Sequence, residues 1–106
     1  MAKYLLETNY SLEGIKGVKA KGGSARVAAA KELVEGLGGK LESFYFGFGG
    51  SDVFAIVDMP DNVSAAAAAL IVSAGGGATT KTVVLITPEE MDAAAKKNAT
   101  YRPPGA

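Results

Sequence analysis

The stretch Leu41 to Met59 reads LESFYFGF, then Gly49-Gly50-Ser51-Asp52, then VFAIVDM. Two β-rich runs around a glycine cluster predict a β-hairpin. The second run is apolar at every position from Val53 to Val57, so both faces of that strand call for a cover. A single sheet with helices on one side covers only one of them.

Working outward, Lys3 to Tyr10 predicts a first strand with Tyr4, Leu6, Thr8 and Tyr10 on one face and Leu5, Glu7 and Asn9 on the other. Ser11 is a candidate N-cap, and Leu12, Ile15 and Val18 recur at helical spacing. Gly14 and Gly17 each weaken a helix interior by about 1 kcal/mol relative to alanine, which predicts an irregular opening turn. Lys21-Gly22-Gly23 breaks the pattern and Ser24 restarts it as a second N-cap. Val27, Ala30, Val34 and Leu37 then form one stripe until Gly38-Gly39 supplies a left-handed stop.

Beyond the hairpin, Pro60-Asp61 ends the strand and Asp61 or Asn62 caps a helix whose stripe is Val63, Ala66 or Ala67, Leu70 and Ala74. Its five alanines, Ala65 to Ala69, make it thin; sheet packing or a ligand groove are the two uses of such a surface. Thr79 to Ile86 is a further strand, again apolar on both faces from Val83 to Ile86. Thr87-Pro88-Glu89-Glu90 is a capping box with proline at the first helical position. It opens a short helix with Met91, Ala94 and Ala95 on its apolar side. The order is that of an α+β, ferredoxin-like β-α-β-β-α-β sandwich with a short C-terminal helix. Residues 1–97 form the expected single domain and 98–106 a C-terminal tail.

With 106 residues the chain holds one core. Eleven basic and eleven acidic residues balance and no Lys/Arg cluster appears, so no nucleic-acid partner is expected. There is no Cys and no His, which removes disulfides, thiolate nucleophiles, imidazole bases and nearly every zinc, haem or copper site. No cofactor and no metal are expected. The longest apolar run, Ala65 to Val72, is far shorter than a span of about 20 residues, so no membrane partner is expected either. Met-Ala-Lys-Tyr enters the first strand with no apolar signal region, and a cytoplasmic location is the expectation.

Bare Phe and Ile side chains on an open sheet face would forgo about 1.5–3 kcal/mol each, so a second copy packed sheet to sheet is the simplest cover. A homodimer, or a higher oligomer, follows as the expected partner.

The chain resembles the GYD domain family. The matching stretches are Asn9-Tyr10-Ser11 with Glu13-Gly14, Gly23-Ser24-Ala25-Arg26, Leu37-Gly38-Gly39-Lys40 with Phe44-Tyr45, Phe48-Gly49, Asp52, Pro60-Asp61 and Thr87-Pro88-Glu89-Glu90-Met91. The middle residue of the naming Gly-Tyr-Asp tripeptide is Ser51 here. The resemblance implies a ferredoxin-like fold pairing as a dimeric α/β barrel. Similar barrels include cofactor-free oxygenases, isomerases and binding modules, among which fold analogy does not choose.

Asp52 is either a turn acceptor for nearby amides or the candidate catalytic base. Arg26 stands in the first turn of a helix, where a cation opposes the macrodipole and calls for an anion: Asp52, Glu7, or a ligand carboxylate or phosphate. Gly47, Gly49 and Gly50 join two strands and lack the Lys-Ser/Thr ending of a phosphate loop. Phe44, Phe46 and Phe48 share one strand face opposite Tyr45, as core aromatics or a ligand stack. Arg26, Asp52, Tyr10, Asn9, Tyr4 and Ser51 are thus the candidate ligand-binding residues. The expected function is a homo-oligomeric module binding a small organic or anionic ligand; the alternatives are a cofactor-independent enzyme based on Asp52 and a structural assembly subunit.

Overall fold

The structure, a computed structural model, describes residues 1–105. Its elements are β1 (Ala2–Tyr10), α1 (Leu12–Lys21), α2 (Gly23–Gly36), β2 (Lys40–Phe46), β3 (Val53–Met59), α3 (Asn62–Ala74), β4 (Ala78–Leu85) and α4 (Pro88–Ala95). The four strands form one antiparallel sheet in the order β2-β3-β1-β4. This α+β arrangement is compatible with the ferredoxin-like sandwich. No described helix is long and apolar enough to cross a membrane.

Strand alternation sorts the side chains. Tyr4 and Leu6 of β1 and Val53, Ala55, Val57 and Met59 of β3 face α2 and α3, and the core forms around Tyr4, Val34, Val57, Met59 and Ala65. The opposite face carries Leu5, Phe54, Ile56 and Val83, aligned across three strands by the pairs Leu5↔Ile56, Leu5↔Val83 and Glu7↔Phe54. None of the described residues covers it: Phe54 is 39% and Val83 41% exposed. A register shift between Leu41 and Ser43 places Leu41, Phe44 and Phe46 together on the helix side despite their uneven spacing. Phe44 and Phe46 meet edge to face with centroids 5.3 Å apart. Phe48 does not join them, because β2 ends at Phe46 and Phe48 lies in the hairpin loop, fully exposed.

The helix ends follow the local chemistry, with differences. Ser11 caps α1, accepting from the Gly14 N–H at 3.1 Å. The α1 helix is regular through Gly14 and Gly17. Gly14 earns its place by close approach, since a Cβ there would overlap the Gly77 carbonyl oxygen, while one on Gly17 would meet nothing. Ser24 is not a cap: Gly22 turns the chain at φ 82° and α2 resumes at Gly23, leaving Ser24 inside the helix. Gly38, at φ 82°, provides the left-handed stop. Of the two possible caps for α3, Asp61 serves, accepting from Ser64 N–H at 2.8 Å.

The stripe expected for α3 is out of phase. Ala65 and Ala68 are buried, with Ala69 and Val72 beside them, whereas Val63 is 78% and Leu70 71% exposed. Tyr4 is the reason: its ring fills the space over β1 and brings α3 in on its methyl groups, with the Tyr4 hydroxyl donating to Asn62 Oδ1.

Gly14→Ala is expected to lower stability by about 1–3 kcal/mol through backbone displacement, while Gly17→Ala raises it by about 0.5–1 kcal/mol; urea unfolding of the pair separates contact from propensity. The Ser64 backbone amide, and second its side chain, hold the Asp61 carboxyl below its ordinary value. A depressed carboxyl pKa contributes stability above the unfolded value, lost as pH falls through the folded one. Below about pH 4 the wild-type melting temperature should therefore fall more steeply than that of Asp61→Asn.

Candidate functional site

Helix α2 packs on β2 and α3 on β4, leaving the middle of the sheet between them. Because the facing positions are small, Ala29 and Ala30 on α2 and Ala68 and Ala69 on α3, the layers do not close over β1 and β3. An apolar cavity of about 100 Å³ results, floored by Leu6, Phe44 and Ala55. Its polar groups are few: Thr8 and Thr80, whose hydroxyls lie 3.3 Å apart across the β1–β4 pair, with Tyr10 and Arg26.

A wider groove of about 580 Å³ opens beside it between α1 and the C-terminal end of α3, bordered by Glu13, Lys21, Ile71 and Gly77. Tyr10, Arg26, Ala29, Val72 and Ala78 line both spaces, so the groove and the cavity adjoin there. Tyr10 and Arg26 stand where the wall changes from polar to apolar. Arg26 is exposed and makes no ion pair among the described residues. Neither carboxylate named for it reaches it within ion-pair distance. Among the described residues no three His, Cys, Asp or Glu side chains converge as a metal site would require.

The remaining candidates are dispersed by the sheet. Asp52 precedes β3 and its Oδ2 accepts from the Tyr10 N–H at 2.8 Å, while its own N–H donates to Thr8 O and its carbonyl accepts from Gly47 N–H, both at 2.9 Å. These bonds pin the hairpin loop to the end of β1. Asn9 alternates with Tyr10 and lies on the open face, opposite Thr79. Ser51 Oγ lies 3.5 Å from Glu7 Oε1, on that same open side. Tyr4, six residues before Tyr10 on β1, is buried in the core and lines neither space. The geometry thus unites Tyr10 with Arg26, ties Asp52 to Tyr10 through backbone, and separates Asn9, Ser51 and Tyr4 from them.

Thr8, Thr80 and the cavity alanines were not among the expected site residues. The alanine run pointed at a thin helix surface; the threonines carried no signal, because cross-strand pairing depends on a register invisible in one strand.

The sequence profile of the GYD domain matches residues 4–95. This chain belongs to the GYD domain family. Neither the curated proteins nor the solved structures contain a significant match. In this GYD domain Ser51 stands in the hairpin loop, between Gly50 and Asp52.

Asp52→Ala should cost about 1–3 kcal/mol by leaving the half-buried Tyr10 N–H without its acceptor. Asp52→Asn, which keeps an amide oxygen, should recover most of that loss in chemical denaturation.

Proposed function

We propose that this GYD domain is a homo-oligomeric binding module for a small amphipathic anion. The apolar part of the ligand enters the cavity and its anionic group meets Arg26 at the mouth. The observation that carries this reading is the adjoining of groove and cavity with Tyr10 and an unpaired Arg26 on the border they share. A mostly apolar recess with a few convergent polar groups is the common form of a small-molecule site. A guanidinium offers paired donors to a carboxylate, phosphate or sulfonate.

Self-association rests on the open sheet face. Leu5, Phe54, Ile56 and Val83 make a continuous apolar surface, a pattern that marks interaction sites. At one end Lys3 Nζ donates to Glu42 Oε2 at 2.9 Å and Asp58 Oδ1 at 3.0 Å. Those carboxylates raise the Lys3 pKa, so the ammonium stays charged but partnered beside the apolar patch. A paired cluster of this kind is compatible with an interface rim. For Asp52, its bond to the Tyr10 amide supports the anchoring role over the catalytic one.

Benzenesulfonate has the required combination of one apolar ring and an anion. Its titration by isothermal calorimetry should give saturable binding, weakened about tenfold by Arg26→Met and abolished by Ala69→Leu, which fills the cavity. Binding unchanged by both substitutions rejects the site. In sedimentation velocity Phe54→Glu should convert the assembly to monomers while retaining the circular dichroism of the fold; a wild type that is monomeric at all concentrations rejects the oligomer.

A further inference from the structure

Every described residue from Pro88 to Gly105 is exposed, and α4 buries none of its side chains. The radius of gyration is accordingly 16.8 Å, against about 13 Å for a compact domain of this length, and the long axis reaches 55 Å. The C-terminal segment is an arm extending from the end of β4.

Local signals for α4 are nonetheless strong. Thr87 Oγ1 accepts from Glu90 N–H at 3.1 Å, Glu90 Oε1 accepts from Thr87 N–H at 2.9 Å, and Pro88 occupies the first turn. An isolated helix of eight residues is still marginal in water, because nucleation costs more than a few hydrogen bonds return. Such a helix draws its stability from packing, and its own chain offers it none. Met91 is 56% and Tyr101 74% exposed on this arm.

The body holds a matching vacancy. Helix α3 contains no charged residue, and a helix apolar on all sides belongs in an interior. Its inner side meets the sheet, while Val63 and Leu70, with small residues between them, face water. The arm of the same chain leaves that stripe uncovered, with Val63 78% and Leu70 71% exposed. It leaves the sheet after Val83 and Leu85, which lie on the open face that pairs with a second copy in the assembly proposed above.

We propose that the arm is a clasp exchanged between copies: residues Pro88 to Gly105 of one chain wrap a second copy of the chain, with Met91 against that copy's sheet edge and Tyr101 on the outer stripe of its α3. The inference rests on self-association and adds the element that secures it. Reach permits the exchange. Two packed sheets are about 10 Å apart and the helix layer adds a similar step; Ile86 to Met91 covers the first step at about 13 Å, and the rest of α4 with the six residues from Lys96 to Tyr101 adds up to about 26 Å.

The test is sedimentation velocity of the full chain against the full-chain variant Met91→Asp/Tyr101→Ser, both sites being exposed and outside the core. The double variant should self-associate at least about tenfold more weakly, and Leu70→Lys should reproduce that loss. Equal association of wild type and double variant overturns the clasp while leaving sheet-face pairing intact. A wild type that stays monomeric overturns both. Weakening by the arm variant with none from Leu70→Lys overturns α3 as the seat. The chain has no native cysteine, so Leu70→Cys and Tyr101→Cys on separate chains should form a disulfide only when mixed; ready closure within one dilute chain bearing both places the arm on its own α3 and overturns the exchange.

Discussion

The contact between α3 and the sheet is made by methyl groups. Ala65 packs in one cluster with Tyr4 near the start of β1, Ala68 is buried beside the cavity, and the larger side chains Val63 and Leu70 turn outward. Three features follow from that one choice of phase. Small side chains leave the layer incompletely filled over Ala55 and Leu6, which makes the cavity. The tyrosine hydroxyl, carried into the core, is satisfied by Asn62 at the helix start, so Asn62 is held as an acceptor and Asp61 is left to cap. The outward leucine and valine give α3 a second apolar side. A leucine facing inward would have narrowed the cavity and turned alanine methyl groups outward in its place.

The same tension acts on the sheet. Its helix-side residues make a small core, and its other face is nearly as apolar, from Val83 through Leu5 and Ile56 towards Tyr45. In a chain of 106 residues only about two thirds of the extended surface can be hidden. Here the apolar content exceeds what one helix layer covers. The surplus is not scattered singly, as on ordinary surfaces; it is gathered on one sheet face, one helix stripe and one arm.

Strand order and helix boundaries were legible because they rest on local chemistry: the Ser11 cap, Gly38 at positive φ, and the Thr87 capping box each involve residues within a few positions of one another. The phase of α3 was not. Its sequence is apolar at almost every position, so periodicity offers no preference, and Tyr4, fifty-eight positions from the Asn62 it binds, makes the decision. Ser24 misled because a serine cap and a glycine at positive φ both fit the junction, and glycine took the turn one residue earlier. The candidate site was legible in part for the same reason. Tyr10 and Arg26 were identified from their chemistry, but strand alternation sends Asn9 to the far face and only the register brings Thr80 to Thr8.

Asp52 illustrates how position restricts chemistry. A general base needs a carboxylate directed at a substrate, yet this one accepts the last amide of β1 while its backbone bonds to Thr8 and Gly47. Two bonds to β1 and one to Gly47 in the loop make it the joint between the hairpin loop and the strand that carries Tyr10. Its influence on the cavity is therefore geometric: it fixes the end of β1, and through it the phenol that stands opposite Arg26. The guanidinium itself is held by a helix whose dipole opposes it, with no carboxylate of the described residues in ion-pair contact. A cation placed against the local field and left unpaired at an apolar opening is the feature on which the proposed anion site rests.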